Sequence, residues 1–174
     1  MKRLLILATI AVLAIGAIGT ASAHDDKSGH KNSKANLGGF AETPSISTTG
    51  SGKLELSLDA AGTTLTYSLT YKDLQGGAVL GAHLHLGQPG VAGGIIADLC
   101  GGTKPACPAS PTATAITGTI TAANILGPAA QGIGVGEFAE VLRAMRAGAV
   151  YANVHTAGYP NGEIRGQLRG GWGD

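Results

Sequence analysis

Hydrophobic and polar residues alternate in several short runs of this chain, as they do in half-buried β-strands. In residues 53–59 the alternation places Leu54, Leu56 and Leu58 on one face, and after a turn it resumes over residues 63–71. Two such runs joined by a short Gly-containing turn are typical of a β-hairpin. We therefore expect a hairpin here, with its leucine-rich faces pointing into a core.

A second hairpin is predicted near the C-terminal end, where a segment rich in Gly, Pro and Asn separates two further alternating runs. The polar positions of the first run are Tyr151, Asn153 and His155, and those of the second are Glu163, Arg165 and Gln167. Because a one-residue slip would invert a strand, these polar residues must share one side of the sheet. If Asn153 lies near Arg165, then His155 falls close to Glu163.

The alternation also predicts a strand over residues 78–86, where His83 and His85 share the polar face. Its apolar face consists of Leu80, Ala82, Leu84 and Leu86. Further strands are predicted at residues 40–46, 91–99 and 112–120.

One segment has the spacing of a helix instead. Apolar residues recur at the three- and four-residue intervals of one helix face, at Phe138, Val141, Leu142 and Met145. Gly148 follows as a natural helix end and leads into the final hairpin. The pattern as a whole predicts an all-β fold: a Greek-key-like β-sandwich of about seven to eight strands, with one short helix before the C-terminal hairpin.

The N-terminal residues have the organisation of a signal peptide. Lys2 and Arg3 precede an apolar stretch, and the Ala-Ser-Ala sequence at residues 21–23 is a cleavage signal. We expect a signal peptide at residues 1–23, a flexible leader at 24–39, the folded domain at 40–169 and a tail at 170–174. The protein is therefore expected to be secreted or periplasmic, with no membrane span after cleavage.

Charge and cysteine content narrow the class of function. Loss of residues 1–23 removes two of the 12 basic residues and none of the 11 acidic ones, which changes the formal net charge from +1 to −1. A nearly neutral domain has no general electrostatic attraction to nucleic acid or anionic membranes. Cys100 and Cys107 favour a disulfide in an oxidising compartment. A metal-binding or redox dithiol is the alternative, although the Cys-x-x-Cys spacing is absent.

Several of these segments resemble, in order, the motifs of the CHRD domain family, which is named for the extracellular protein chordin. They are residues 81–90, 95–100, 144–148, 150–156 and 162–167. The resemblance covers residues 40–168 and implies an extracytoplasmic β-rich module. For exported microbial members with a single domain, it implies no settled activity and supplies no catalytic residues.

Three histidines on the predicted polar face form a candidate metal site. His83, His85 and His155 could bind Zn²⁺ or Cu²⁺ and leave one coordination position open. The pair on one strand distantly resembles the His-Val-His pair of copper–zinc superoxide dismutases. A bridging His and a zinc-binding loop are missing, so dismutase activity is not expected. Alternatively, the histidines only form hydrogen bonds with Glu163, Thr156 and the backbone.

The first functional hypothesis is an exported, non-enzymatic binding or structural module without a cofactor, whose partner is an unknown extracytoplasmic protein or small ligand. The candidate ligand-binding face consists of His83, His85, Tyr151, Asn153, His155, Glu163 and Arg165. The alternative is a protein that binds Cu or Zn through the three histidines. Two weaker possibilities are self-association at a cell surface and copper chelation by a new N-terminus at His24, with Asp25, Asp26 and His30 nearby.

Overall fold

The computed structural model describes residues 31–112 and 114–171. The predictions of a signal peptide, of a copper-binding N-terminus at His24 and of the first part of the leader lie outside these residues. Within the described residues, no helix has the length and apolar character needed to cross a membrane.

The described chain consists mainly of short strands. In chain order these are β1 (Lys31–Gly38), β2 (Ser51–Leu58), β3 (Leu65–Lys72), β4 (Val79–Leu86), β5 (Ile95–Cys100), β6 (Ile116–Ile120), β7 (Val150–Thr156), β8 (Ile164–Gln167) and β9 (Arg169–Gly170). The helix α1 (Phe138–Arg146) lies between β6 and β7. Short 3-10 turns occur at Gly39–Ala41, Ala122–Asn124 and Ala129–Gln131.

The strands form one antiparallel sheet in the order β5-β4-β7-β8-β1-β2-β3-β6, and β9 pairs with β1. The two outer strands of this path, β5 and β6, approach each other. The Tyr67 hydroxyl of β3 also donates a hydrogen bond of 2.8 Å to the Leu99 carbonyl of β5. The sheet therefore curls into a nearly closed, sandwich-like barrel. β7 returns to lie beside β4 rather than beside its chain neighbour β6, which is a Greek-key-like connection. These features confirm the predicted fold class.

The core contains most of the apolar positions that the alternation predicts, but Leu80 is an exception: the pairing of β4 with β7 shifts register between Val79 and Gly81, and Leu80 is 55% exposed. In the β2–β3 hairpin, Leu54 lies opposite Leu69, and Leu56 lies opposite Tyr67. All four side chains are buried. The predicted helix face is also buried, and Gly148 follows α1 with a φ of 68°, a conformation that glycine adopts without strain. The Cys100–Cys107 disulfide is present.

Two sequence predictions near the start of the domain are wrong. Residues 31–38, predicted as part of a flexible leader, form β1 and pair with β2 along their whole length. The buried positions of β1 include Ser33 and Ala35, whose small side chains give only a weak apolar pattern. The strand predicted over residues 40–46 is a 3-10 turn followed by irregular chain, and Phe40 is 79% exposed.

Candidate metal centre

Pairing of β4, β7 and β8 places most of the predicted polar residues on one outer face of the barrel. His83 lies opposite Asn153 and His85 lies opposite Tyr151 across β4 and β7. Asn153 lies opposite Arg165 across β7 and β8, which confirms the register expected for the final hairpin. His155 lies opposite Gly81, and a Cβ at this glycine would be 2.8 Å from His83 Nε2, so the absence of a side chain leaves room for the imidazole.

The three histidines form a compact cluster. The ring centroids of His83 and His155 are 4.8 Å apart, and the two distances from His85 are 5.6 Å to His83 and 5.7 Å to His155. Each residue offers one ring nitrogen to a group of three atoms that all lie within 4.8 Å of one another. Three atoms 4.8 Å apart would each lie about 2.8 Å from their centre, against about 2.0–2.1 Å for a Zn–N bond. Small inward movements would therefore reach coordinating distance.

Each imidazole uses one nitrogen to contact the surrounding protein. His85 Nδ1 is 3.0 Å from the Gly93 carbonyl oxygen, and His155 Nδ1 is 3.0 Å from the Pro160 carbonyl oxygen. His83 Nε2 is 3.5 Å from Asp98 Oδ1. Metal-binding histidines generally donate one ring N–H to such an acceptor, which fixes the tautomer and turns the other nitrogen toward the ion.

The second nitrogen of each imidazole has no such contact. His83 Nδ1, His85 Nε2 and His155 Nε2 are buried and find no hydrogen-bond partner among the described protein atoms. An unsatisfied buried polar atom costs about 1–3 kcal/mol, so three of them in one cluster need an explanation. These are the nitrogens free to bind a metal.

The electrostatics of the cluster favour neutral imidazoles. Burial, assisted by the neighbouring histidines and opposed by Asp98 at His83 and by the Gly93 carbonyl at His85, lowers the pKa of His83 and that of His85 to about 4. Burial also lowers the pKa of His155. All three rings are therefore neutral at pH 7, which is the form that coordinates metals.

A stack of three planar groups supports one side of the cluster. The Tyr151 ring lies 4.9 Å from the His85 ring at an angle of 8°. On the same tyrosine, the Arg165 Cζ atom is 3.5 Å from the ring centroid. The Arg165 guanidinium also donates hydrogen bonds to the carbonyls of Gln88 and Val91. The loop between β4 and β5 is thereby tied to the face that carries the histidines.

Glu163 does not join this cluster, contrary to the expectation that His155 would lie close to it. Its carboxylate accepts hydrogen bonds from the backbone N–H groups of Gln75 and Gly76 and from the hydroxyls of Thr48 and Thr156. Thr156 follows His155 in β7, so the two side chains point to opposite faces of the strand. The Glu163 carboxylate therefore lies on the face opposite to His155. The physical reason is that β8 begins only at Ile164, and strand alternation does not constrain the residue before it.

The hydrogen bonds to Glu163 determine its charge state. Burial raises the pKa of this carboxyl, but the four donors together outweigh burial and hold the pKa below its ordinary value. Glu163 is therefore a charged, fully satisfied structural group.

Sequence reasoning missed two acidic residues beside the candidate face. Asp98 is 5% exposed and accepts hydrogen bonds from the backbone and hydroxyl of Thr103. An acid inside an apolar run was a signal that could have identified it. Glu42 is 6% exposed and accepts a hydrogen bond of 3.4 Å from Asn153, and burial raises its pKa to about 7 although Arg165 acts in the opposite direction. No local pattern identifies Glu42, because it lies in irregular chain.

Comparison with known families gives one match. The family model of the CHRD domain matches residues 33–168, which include most of β1, all three clustered histidines and Glu163. Comparison with curated proteins finds no match, and comparison with solved structures finds none either.

Proposed function

The chain belongs to the CHRD domain family, and we propose that it works as an exported, non-enzymatic metal-binding module. His83, His85 and His155 are the proposed ligands of one Cu²⁺ or Zn²⁺ ion. The Ala-Ser-Ala cleavage signal and the Cys100–Cys107 disulfide support a location outside the cytoplasm.

The observation that carries the metal proposal is that the two nitrogens of each imidazole ring have different environments. One nitrogen of every imidazole contacts an acceptor outside the cluster, while the other is buried without a partner among the described atoms. A purely structural histidine would use both nitrogens in hydrogen bonds or expose one to water. Metal binding accounts for all three free nitrogens at once.

The donor set favours particular metals. Imidazole nitrogen suits Zn²⁺ and Cu²⁺, whereas Mg²⁺ and Ca²⁺ prefer oxygen ligands. Asp98 contacts His83 Nε2 and the Thr103 N–H and hydroxyl. It is therefore placed to orient a ligand rather than to act as one. Three protein ligands leave a further position for water or a small molecule.

The test is a calorimetric titration of the chelator-treated protein with ZnCl₂ and, separately, with CuCl₂. We expect one ion per chain, and we expect His155→Gln to weaken binding at least about 100-fold because one of three ligands is lost. His30→Gln is the matched control, because it removes a histidine that is not one of the three proposed ligands. Circular dichroism checks that each variant is folded.

Two results would contradict the proposal. One is the absence of stoichiometric binding of either metal to folded protein. The other is binding that is unaffected by His155→Gln but lost in His30→Gln, which would move the metal to the N-terminal segment.

A further inference from the structure

A cleft of about 840 Å³ lies beside the histidine face, on the side of Arg165 and the irregular chain after β1. This volume is within the range of about 300–1,000 Å³ that is usual for small-molecule sites. Its walls include Phe40, Glu42 and Gln167 as well as three basic residues, Lys34, Arg165 and Arg169. The metal proposal uses none of these side chains as a ligand.

Two oxygen atoms of the cleft residues lack hydrogen-bond donors. Glu42 Oε1 and Gln167 Oε1 are buried and find no partner among the described protein atoms. Glu42 itself is 94% buried, since its relative exposure is 6%. A ligand that satisfies these atoms has to bring O–H or N–H groups. A hydroxyl suits Glu42 in either protonation state, because it donates to a carboxylate and accepts from a carboxylic acid.

The charge of the cleft determines which ligands with O–H or N–H groups it attracts. Three cationic residues line it against one acid, so it attracts anions and repels amines. Lys34 is partly neutralised by Glu55 at 3.3 Å. Arg169 is exposed and forms no ion pair within the described part of the chain. Arg169 is therefore available to bind a carboxylate of a ligand.

An exposed aromatic ring completes the arrangement. Phe40 lines the cleft with 79% of its surface exposed, which is unusual for so large an apolar side chain. A flat aromatic face can pack against the C–H face of a sugar ring while the sugar hydroxyls reach polar neighbours. A simple carboxylic acid would leave this surface uncovered.

We propose that the cleft binds an acidic saccharide, with a uronic acid as its repeating unit. The ring packs on Phe40, the carboxylate is bound by Arg169 and Lys34, and the hydroxyls bond with Glu42 and Gln167 after these two side chains turn toward the cleft. The site is independent of the metal centre, and metal-free protein is expected to bind.

The experiment is calorimetric titration of metal-free protein with three probes: trigalacturonic acid, the neutral trisaccharide galactotriose and triglutamate. We expect binding of trigalacturonic acid at least about tenfold tighter than that of either other probe. Phe40→Ala and Arg169→Ala should each weaken it about tenfold. The matched controls Val135→Ala and Arg146→Ala, both at exposed positions outside the cleft, should leave it unchanged.

Each other result overturns the proposal. If trigalacturonic acid does not bind at millimolar concentration, the cleft is not a saccharide site. If galactotriose binds equally tightly, the cleft does not select for the carboxylate. Equal binding of triglutamate shows that charge alone is recognised. Unchanged affinity in both cleft variants, with circular dichroism confirming their fold, shows that the saccharide binds elsewhere.

Discussion

Glu163 and the three-histidine cluster are two buried polar groups that flank the same hairpin, and they differ in how completely they are satisfied. Glu163 is fully buried, and its two carboxylate oxygens accept four hydrogen bonds from within the chain. Each histidine of the cluster keeps one buried nitrogen without a partner among the described atoms. His155 and Glu163 come from the same C-terminal hairpin, whereas His83 and His85 come from β4.

The difference separates a structural role from a binding role. A buried charge whose acceptors are all used ties loops together and has no capacity left for a ligand. A cluster in which one nitrogen of each ring contacts an acceptor, and the other is buried without a partner among the described atoms, is arranged for a further atom.

The largest expected effect is on stability, from Glu163→Gln. The substitution removes the charge and turns an N–H₂ group toward donors, so we expect the free energy of unfolding to fall by about 3 kcal/mol. Urea denaturation measures it. Glu55→Gln, which changes an exposed acid paired with Lys34 and Lys53, is the control and should have little effect. Equal effects of the two substitutions would show that the buried hydrogen bonds of Glu163 add no more to the free energy of unfolding than an exposed ion pair does.

The second effect is a pH dependence of the metal-free protein. The pKa values of His83 and His85 are lowered from 6.5 to about 4, so the unfolded state takes up protons first as pH falls. Stability should therefore drop between pH 7 and pH 5. Glu42 acts oppositely, because its pKa is raised from 4.5 to about 7 and the folded state takes up that proton first. The net loss should be about 2 kcal/mol.

Urea denaturation at pH 7, 6 and 5 measures this dependence. Glu42→Gln removes the opposing group and should make the loss of stability steeper. Stability that stays constant or rises on acidification would mean that the histidines are not neutral and buried in the fold.

A smaller effect should appear in metal affinity. Asp98→Asn keeps the shape beside His83 but removes the charge that orients it, and we expect affinity for Zn²⁺ to fall about tenfold. Loss of such a partner usually weakens metal binding by about 10–100-fold. We expect the low end of this range because His83 Nε2 and Asp98 Oδ1 are 3.5 Å apart. Calorimetric titration measures it, with Asp73→Asn on an exposed loop as control. An unchanged affinity would remove Asp98 from the metal centre.

The smallest effect concerns one donor to Glu163. Thr48→Val keeps the side-chain shape but removes the 2.7 Å hydrogen bond to the carboxylate and the bond that the hydroxyl accepts from the Gly50 N–H, and it should destabilise the fold by about 1 kcal/mol. Thr66→Val, at an exposed position of β3, should change stability little by the same urea measurement. Metal affinity should be unchanged in both variants. A loss of metal affinity in Thr48→Val would show that Glu163 and the histidine cluster are not independent sites.

Strand alternation was sufficient to predict which residues share a face, because successive side chains of a strand point to opposite sides. It placed His83 and His85 together and the Tyr151, Asn153 and His155 set on one polar face, as the structure does. It could not give the pairing of β4 with β7, which joins residues about 70 positions apart in the chain. The short distance between His83 and His155 depends on that pairing.

Predictions failed where local pattern does not determine structure. β1 was missed because its buried side chains are small, and its place in the sheet comes from pairing with β2. The predicted position of the Glu163 side chain was wrong because Glu163 lies just before β8, which begins at Ile164, although its backbone N–H still bonds to the Val154 carbonyl. Glu42 lies in irregular chain, where its burial is decided by distant residues such as Asn153.

The most direct test of the metal centre is X-ray absorption spectroscopy of protein loaded with one equivalent of Zn²⁺ or Cu²⁺. The spectra should show three imidazole ligands with metal–nitrogen distances of about 2.0–2.1 Å, reduced to two in His155→Gln. A spectrum of the wild-type protein with fewer than three imidazoles, or with only oxygen ligands, would contradict the account.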